Sequence, residues 1–247
     1  ETPSELFRRV ARTVAAAETH HEGGRDPDAL AEAFYELMAR RDFLPNSPTL
    51  MNAGTPLGQL SACFVLPVED SIPGIFDAVK AMALVHQSGG GTGFSFSRLR
   101  PRGDRVQTTK GVASGPLSFM RIFDVTTDVI KQGGRRRGAN MGILRCDHPD
   151  VLEFIGAKAR DGQLSNFNLS VGLTDAFMEA LEREEDYPLR HPRTGVEVGR
   201  LQARQLFSLI VSSAWRTGDP GVIFLDAVNR ANPTPQLGEL EATNPCG

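Results

Sequence analysis

Apolar residues in this chain first recur at helical spacing and then settle into short, strand-length runs. Leu6, Val10, Val14 and Ala17 line one face of a helix, and Leu30, Phe34, Leu37 and Met38 line one face of another. Each run opens on helix-start chemistry. Thr2-Pro3-Ser4-Glu5 supplies a capping residue, a proline at the first helical position and a glutamate at the third; Asp26-Pro27 repeats the cap and the proline. Gly23-Gly24 separates the two. Residues 1–42 are therefore expected to form a helical N-terminal region. From Phe43 onward, Leu44-Pro45-Asn46-Ser47-Pro48-Thr49 and Asn52-Ala53-Gly54-Thr55-Pro56 interrupt the periodicity so often that the segment reads as loop.

Beyond it, strand-like runs alternate with helical ones. Cys63 to Leu66 precedes a helical pattern over Ile75 to Val85, and Phe94 to Phe96 precedes one over Leu117 to Ile130. Met141 to Leu144 precedes Val151 to Ile155, Phe167 to Val171 precedes Phe177 to Leu181, and Leu201 to Trp215 is helical before Gly221 to Leu225. Strands joined by crossover helices predict an α/β fold with a mostly parallel sheet. Five strands suit one half of a larger barrel, so residues 43–247 are expected to form that half. The polar stretch Glu182 to Gly199 reads as a hairpin or loop outside this pattern.

Composition narrows the function. With 40% hydrophobic and 23% charged residues the chain can bury a sizeable core, and a net charge of −3 gives no general attraction for nucleic acid or an anionic membrane. No apolar run approaches the length of a membrane span, so a soluble, cytoplasmic protein is expected. Cys63, Cys146 and Cys246 are far apart and lack metal-ligand spacing, which argues against a disulfide scaffold and a zinc site.

Three segments hold candidate chemistry. Ser88-Gly89-Gly90-Gly91-Thr92-Gly93 follows a helix and precedes a strand, the reverse of a dinucleotide fingerprint, and it lacks a P-loop lysine. Alone, it reads as a flexible turn; the alternative is a backbone stripped of side chains so that a sugar or base can approach. Lys131 to Asn140 carries four cations among three glycines, which reads either as a solvated turn or as a loop contacting phosphate or base. Cys246 follows Asn244-Pro245. A lone cysteine is ordinarily a small buried hydrophobe, yet a proline before it and a glycine after it suit a displayed thiol. Cys63 opens an apolar strand and suits core packing; Cys146 reads as structural.

Taken in order, Asn46-Ser47-Pro48-Thr49-Leu50-Met51-Asn52-Ala53-Gly54, Ser61-Ala62-Cys63-Phe64, Gly89 to Gly93, Gln132 to Asn140, Asn166-Phe167-Asn168-Leu169-Ser170-Val171 and Asn244-Pro245-Cys246-Gly247 resemble the catalytic chain of ribonucleotide reductases. The wording Gly-Gly-Gly-Thr-Gly-Phe-Ser-Phe-Ser, Arg-Arg-Gly-Ala-Asn-Met and Asn-Pro-Cys-Gly is similar to the class II, adenosylcobalamin-dependent type; the alternative is a class I chain served by a metal-radical subunit. The resemblance implies a ten-stranded α/β barrel of two five-stranded parallel halves, of which this chain holds the first, ending at the active-site finger loop.

By the same resemblance Cys246 is the radical thiol, Cys63 one of the redox cysteines, and Asn244 the amide facing the ribose hydroxyls. Ser47, Ala62, Gly90 and Gly91 take substrate-contact positions. Asp70 and Arg100 take the positions that hold a deoxynucleoside triphosphate or ATP effector, while Lys131, Gln132 and Arg136 belong to the loop that relays effector identity. The implied partners are a ribonucleotide substrate, a thioredoxin-type reductant, a second copy of the chain and the remaining C-terminal part of the reductase. The family's general-base glutamate and second redox cysteine fall beyond Gly247, so the 247 residues alone are expected to be an inactive effector-binding and dimerising module.

Overall fold

The computed structural model describes residues 1–105, 110–130, 138–159 and 162–246. Contacts divide the chain into two units, Glu1–Ala62 with Ser88–Gly90, and Cys63–Gln87 with Gly91–Gly247.

The first unit is helical, as its periodicity predicts. Helix α1 (Pro3–Ala15) begins in a full capping box, the Glu5 amide donating to Thr2 Oγ1 and the Thr2 amide to Glu5 Oε2. Helix α2 (Pro27–Ala39) is capped by the Asp26 carboxylate. Val10, Ala11, Met38 and Ala53 form the core between them, with Phe7, Phe34 and Leu60 packed around it. One expectation is corrected: Ser47–Asn52 is a short helix, α3, not loop. Asn46 caps it by accepting the Thr49 amide at 2.8 Å, and Pro48 sits in the first turn, where no amide is required. Thr49 and Asn52 then donate to the carbonyls of Leu60 and Gln59, tying the helix to the strand approach that follows.

The second unit is built on a five-stranded parallel sheet, β1 (Cys63–Val65), β2 (Gly91–Ser95), β3 (Asn140–Arg145), β4 (Phe167–Leu173) and β7 (Gly221–Phe224), in that spatial order. Helices α4 (Ile72–Gln87), α5 (Pro116–Val129), α6 (Val151–Ile155), α7 (Asp175–Glu182) and α8 (Ala203–Thr217) join them. An α/β fold with a helical lead-in and five parallel strands, the architecture of a half-barrel, is thus what the chain adopts. Glu182 to Gly199 resolves into a hairpin, β5 (Asp186–Arg190) against β6 (Glu197–Gln202), and α9 (Leu225–Arg230) follows β7.

Strand side chains alternate faces. One face carries Phe94, Phe96, Leu144, Phe167, Leu169 and Leu173, all essentially inaccessible and packed with Met82, Met120 and Phe123 from α4 and α5. Phe123 meets Phe94 and Phe96 edge-on, with centroids 4.9 and 5.4 Å away. The other face presents Gly91, Gly93 and Ser95 on β2, the buried Met141 and Ile143 on β3, and Asn168 and Ser170 on β4. On this face the β2 row is made of small residues, which leaves room above that strand for another segment of chain. Among the described residues, no helix is long and apolar enough to cross a membrane.

Candidate active site

The small-residue row of β2 is crossed by the segment Thr243–Cys246. Gly93 lacks a side chain because the segment lies where one would be: a Cβ there would fall 2.8 Å from the Thr243 carbonyl carbon, with the carbonyl oxygen nearer still. A Cβ on Gly91 would lie 2.7 Å from Pro245 Cγ and 3.2 Å from Cys63 Sγ. On β4, Asn168 Nδ2 donates to the Pro245 carbonyl at 2.8 Å. Farther back, Asn229 on α9 grips the returning chain twice, donating to Leu240 O and accepting the Leu240 amide. The Arg98 guanidinium lies over Glu241, with Nη2 and Oε1 2.9 Å apart. None of these three holding residues was singled out in the sequence; Asn168 alone lay in a recognised motif.

The crossing brings two cysteines together. Cys63 opens β1, in register with Gly91, and its Sγ is 3.9 Å from Cys246 Sγ. That is contact without a bond, since a disulfide would be near 2.05 Å, and all three cysteines are unbridged. Cys63 is half-buried and Cys246 exposed. Asn244 is half-buried between Thr243 and Pro245. Cys146 behaves as the structural cysteine expected: buried beside Thr174 and Tyr187, its thiol is pushed up to about 11 chiefly by desolvation.

Behind the cysteines a buried polar chain ties the sheet to its helices. Thr92 on β2 donates to Asn140 Oδ1 at 2.7 Å, and Asn140 Nδ2 donates to Thr127 Oγ1 on α5 at 2.8 Å. Thr127 in turn donates to the Phe123 carbonyl. Having spent its one proton on Asn140, Thr92 must accept from His86 Nε2, 3.0 Å away. The imidazole is therefore the Nε2–H tautomer. Burial lowers its pKa, an effect that Asn140 and the nearby Ala139 carbonyl only partly oppose, and Nδ1 finds no hydrogen-bond partner among the described residues.

Comparison with known proteins shows the family. The family model described as "Ribonucleotide reductase, barrel domain" matches residues 61–247, and "Ribonucleotide reductase, all-alpha domain" matches residues 1–58. The chain belongs to the ribonucleotide reductase family. It is 62% identical over 87% of its length to a "Vitamin B12-dependent ribonucleoside-diphosphate reductase" of Thermoplasma acidophilum, covering 28% of that protein. A protein of the same name from Mycobacterium tuberculosis (strain CDC 1551 / Oshkosh) is 53% identical over all of this chain, which covers 36% of it. The "Ribonucleoside-diphosphate reductase large subunit" of Arabidopsis thaliana is 31% identical, again over the whole chain and 32% of the relative. The chain thus spans well under half the length of the curated relatives it matches.

The remaining reductase-family positions are distributed as follows. Ser47, at the start of α3, is exposed; Ala62 is half-buried just before β1; Gly90 is buried in the turn before β2. These three belong to the helical unit, whereas Cys63, Gly91, Asn244 and Cys246 belong to the sheet unit. Asp70 and Arg100 are bonded to each other: the Asp70 carboxylate accepts from Arg100 Nε at 2.9 and 3.1 Å and from the Arg100 amide at 3.1 Å. Arg193 approaches the same carboxylate at 3.9 Å. Lys131, Gln132 and Arg136 lie outside the described residues.

Proposed function

We propose that the full-length protein reduces ribonucleotides, as diphosphates, to deoxyribonucleotides for DNA synthesis, using a thiyl radical on Cys246. The observation that carries this reading is the meeting of Cys246 and Cys63, unbridged and 3.9 Å apart, over the glycines of β2. Sulfur holds an unpaired electron and takes a carbon-bound hydrogen reversibly, so the Cys246 thiyl would accept the ribose 3′ hydrogen and return it at the end of the cycle. Cys63 and a second cysteine would supply the reduction. The C2′–O bond breaks, a C2′–H bond forms, water leaves and two thiols become one disulfide, which balances two electrons and two protons. Asn244 offers donor and acceptor to the ribose hydroxyls without titrating. Ser47, Ala62, Gly90 and Gly91 would lie against the substrate.

Both prokaryotic relatives are named as vitamin B12-dependent, and this chain is closer to them than to the plant large subunit. That favours adenosylcobalamin over a metal-radical partner as the source of the radical. What the chain offers such a cofactor is an exposed Cys246 thiol. An effector deoxynucleoside triphosphate or ATP would engage the Asp70–Arg100 pair together with Lys131, Gln132 and Arg136. The protein would act as a cytoplasmic homodimer, and a thioredoxin-type reductant would reopen the disulfide.

The test is Cys246→Ser in the full-length protein, assayed for deoxyribonucleotide formation with adenosylcobalamin and no second protein. Wild type is expected to turn over and the variant not to. A variant retaining a tenth of wild-type turnover refutes the radical role, and a wild type that needs a second subunit refutes the cobalamin class.

A further inference from the structure

We propose that Asn168 is the residue that aims the Cys246 thiol, an inference that rests on the radical role given to Cys246 above. The amide of Asn168 donates to the Pro245 carbonyl at 2.8 Å. That carbonyl belongs to the peptide unit joining Pro245 to Cys246, whose planarity places the Cys246 nitrogen and Cα as soon as the carbonyl direction is set. The proline ring fixes φ of Pro245, one bond farther back. Only φ and χ1 of Cys246 then separate a fixed plane from the sulfur.

Asn168 can serve as a reference because its own backbone is held on both sides. It pairs in register with Met141 of β3. The preceding Asn166 amide donates to the buried Asp124 carboxylate at 2.9 Å, and the following Leu169 amide donates to Asp219 at 2.8 Å. Lys158 Nζ, 2.9 Å from Asp219, holds that carboxylate in place. Gly91 and Gly93 form the floor on which the segment rests, and a floor sets height without setting rotation. Asn168 supplies a directional contact from β4 to the segment. Asn168 side-chain exposure shows that it is not a core packing residue.

The experiment compares Asn168→Ala, Asn168→Asp and Cys246→Ser in the full-length protein with adenosylcobalamin and a ribonucleoside diphosphate. Loss of one neutral hydrogen bond and of the direction it imposes should lower kcat roughly tenfold in Asn168→Ala, with KM within about twofold and the melting temperature only slightly lowered. Asn168→Asp keeps the shape but turns an acceptor toward the carbonyl, so its kcat should fall below that of Asn168→Ala. In both, the isotope effect from deuterium at ribose C3′ should rise, because hydrogen transfer to a misdirected sulfur becomes slower relative to other steps. A residue that merely supported the fold would lower activity and stability together without moving the isotope effect, and that result overturns the proposal. So does an Asp variant matching wild type, or wild-type kcat in both variants while Cys246→Ser is dead. Turnover in Cys246→Ser instead removes the radical reading itself, and this proposal with it.

Discussion

Gly93→Ala gives a sharp test of the site's construction. Gly93 is not a glycine of left-handed backbone, so alanine suits the strand, and the exchange should by itself favour β structure by roughly 0.5–1 kcal/mol. The cost falls elsewhere. Carbon atoms in contact prefer about 3.5–4.0 Å, yet the new methyl would stand 2.8 Å from the Thr243 carbonyl carbon and 3.2 Å from the Asn244 Cα. The segment must therefore lift off β2 by on the order of 1 Å, carrying Asn244 and Cys246 with it, and a misplacement of that size at a reacting atom can cost about 100-fold in rate. Since the lost Asn168–Pro245 bond is worth about 1 kcal/mol, net stability should scarcely move. Turnover and thermal unfolding of the full-length variant measure both sides. Gly199→Ala, where a methyl would meet only Leu189 Cδ1 at 3.9 Å, is the control. Turnover above a tenth of wild type refutes the steric reasoning, and so does a melting temperature that collapses along with activity.

Two further predictions concern buried groups. His86 and His148 are both held neutral by burial, which lowers their pKa values below those of the unfolded chain. The stability this confers is present above the unfolded value near 6.5 and is lost as pH falls through it, by at most about 2.7 kcal/mol per pH unit for two protons. Urea midpoints should therefore decline between about pH 6.5 and 5, and replacing both histidines with Gln should flatten that decline; an unchanged slope contradicts it. Cysteine reactivity should divide as burial does. Iodoacetamide at pH 8 is expected to label Cys246 and Cys63 while leaving Cys146 untouched, its thiol being inaccessible and pushed up to about 11; mass spectrometry showing Cys146 labelled in folded protein would overturn this assignment.

Much of the architecture was legible because it depends on local signals. Proline at the first turn of α1 and α2, and apolar runs of strand length between helical patterns, announce elements whose stability comes from burying one face, and the buried face is written in the periodicity. Elements without such a face were harder to see. The helix Ser47–Asn52 read as loop because Pro48 and Asn46 are punctuation in most contexts, and their capping role shows only once the Asn46 side chain meets the Thr49 amide. The start of β2 was similarly hidden. Gly91-Thr92-Gly93 has no apolar alternation to display, and it is a strand because Cys63 and Asn140 lie in register beside it.

At the site the division is the same. The residue types and the order of the motifs are properties of the chain, and they point to the family and single out the two cysteines and the asparagine as candidates. That Cys63 and Cys246, 183 positions apart, touch at 3.9 Å was decided by the fold. So was the use of Gly91 and Gly93 as a floor, of Asn168 as a directional hold, and of Asp70 and Arg100 as partners for each other. Periodicity and capping report what a residue does within a few neighbours. A parallel sheet sets side by side strands that are separated by whole helices, and the contacts made across that sheet leave no trace in local sequence.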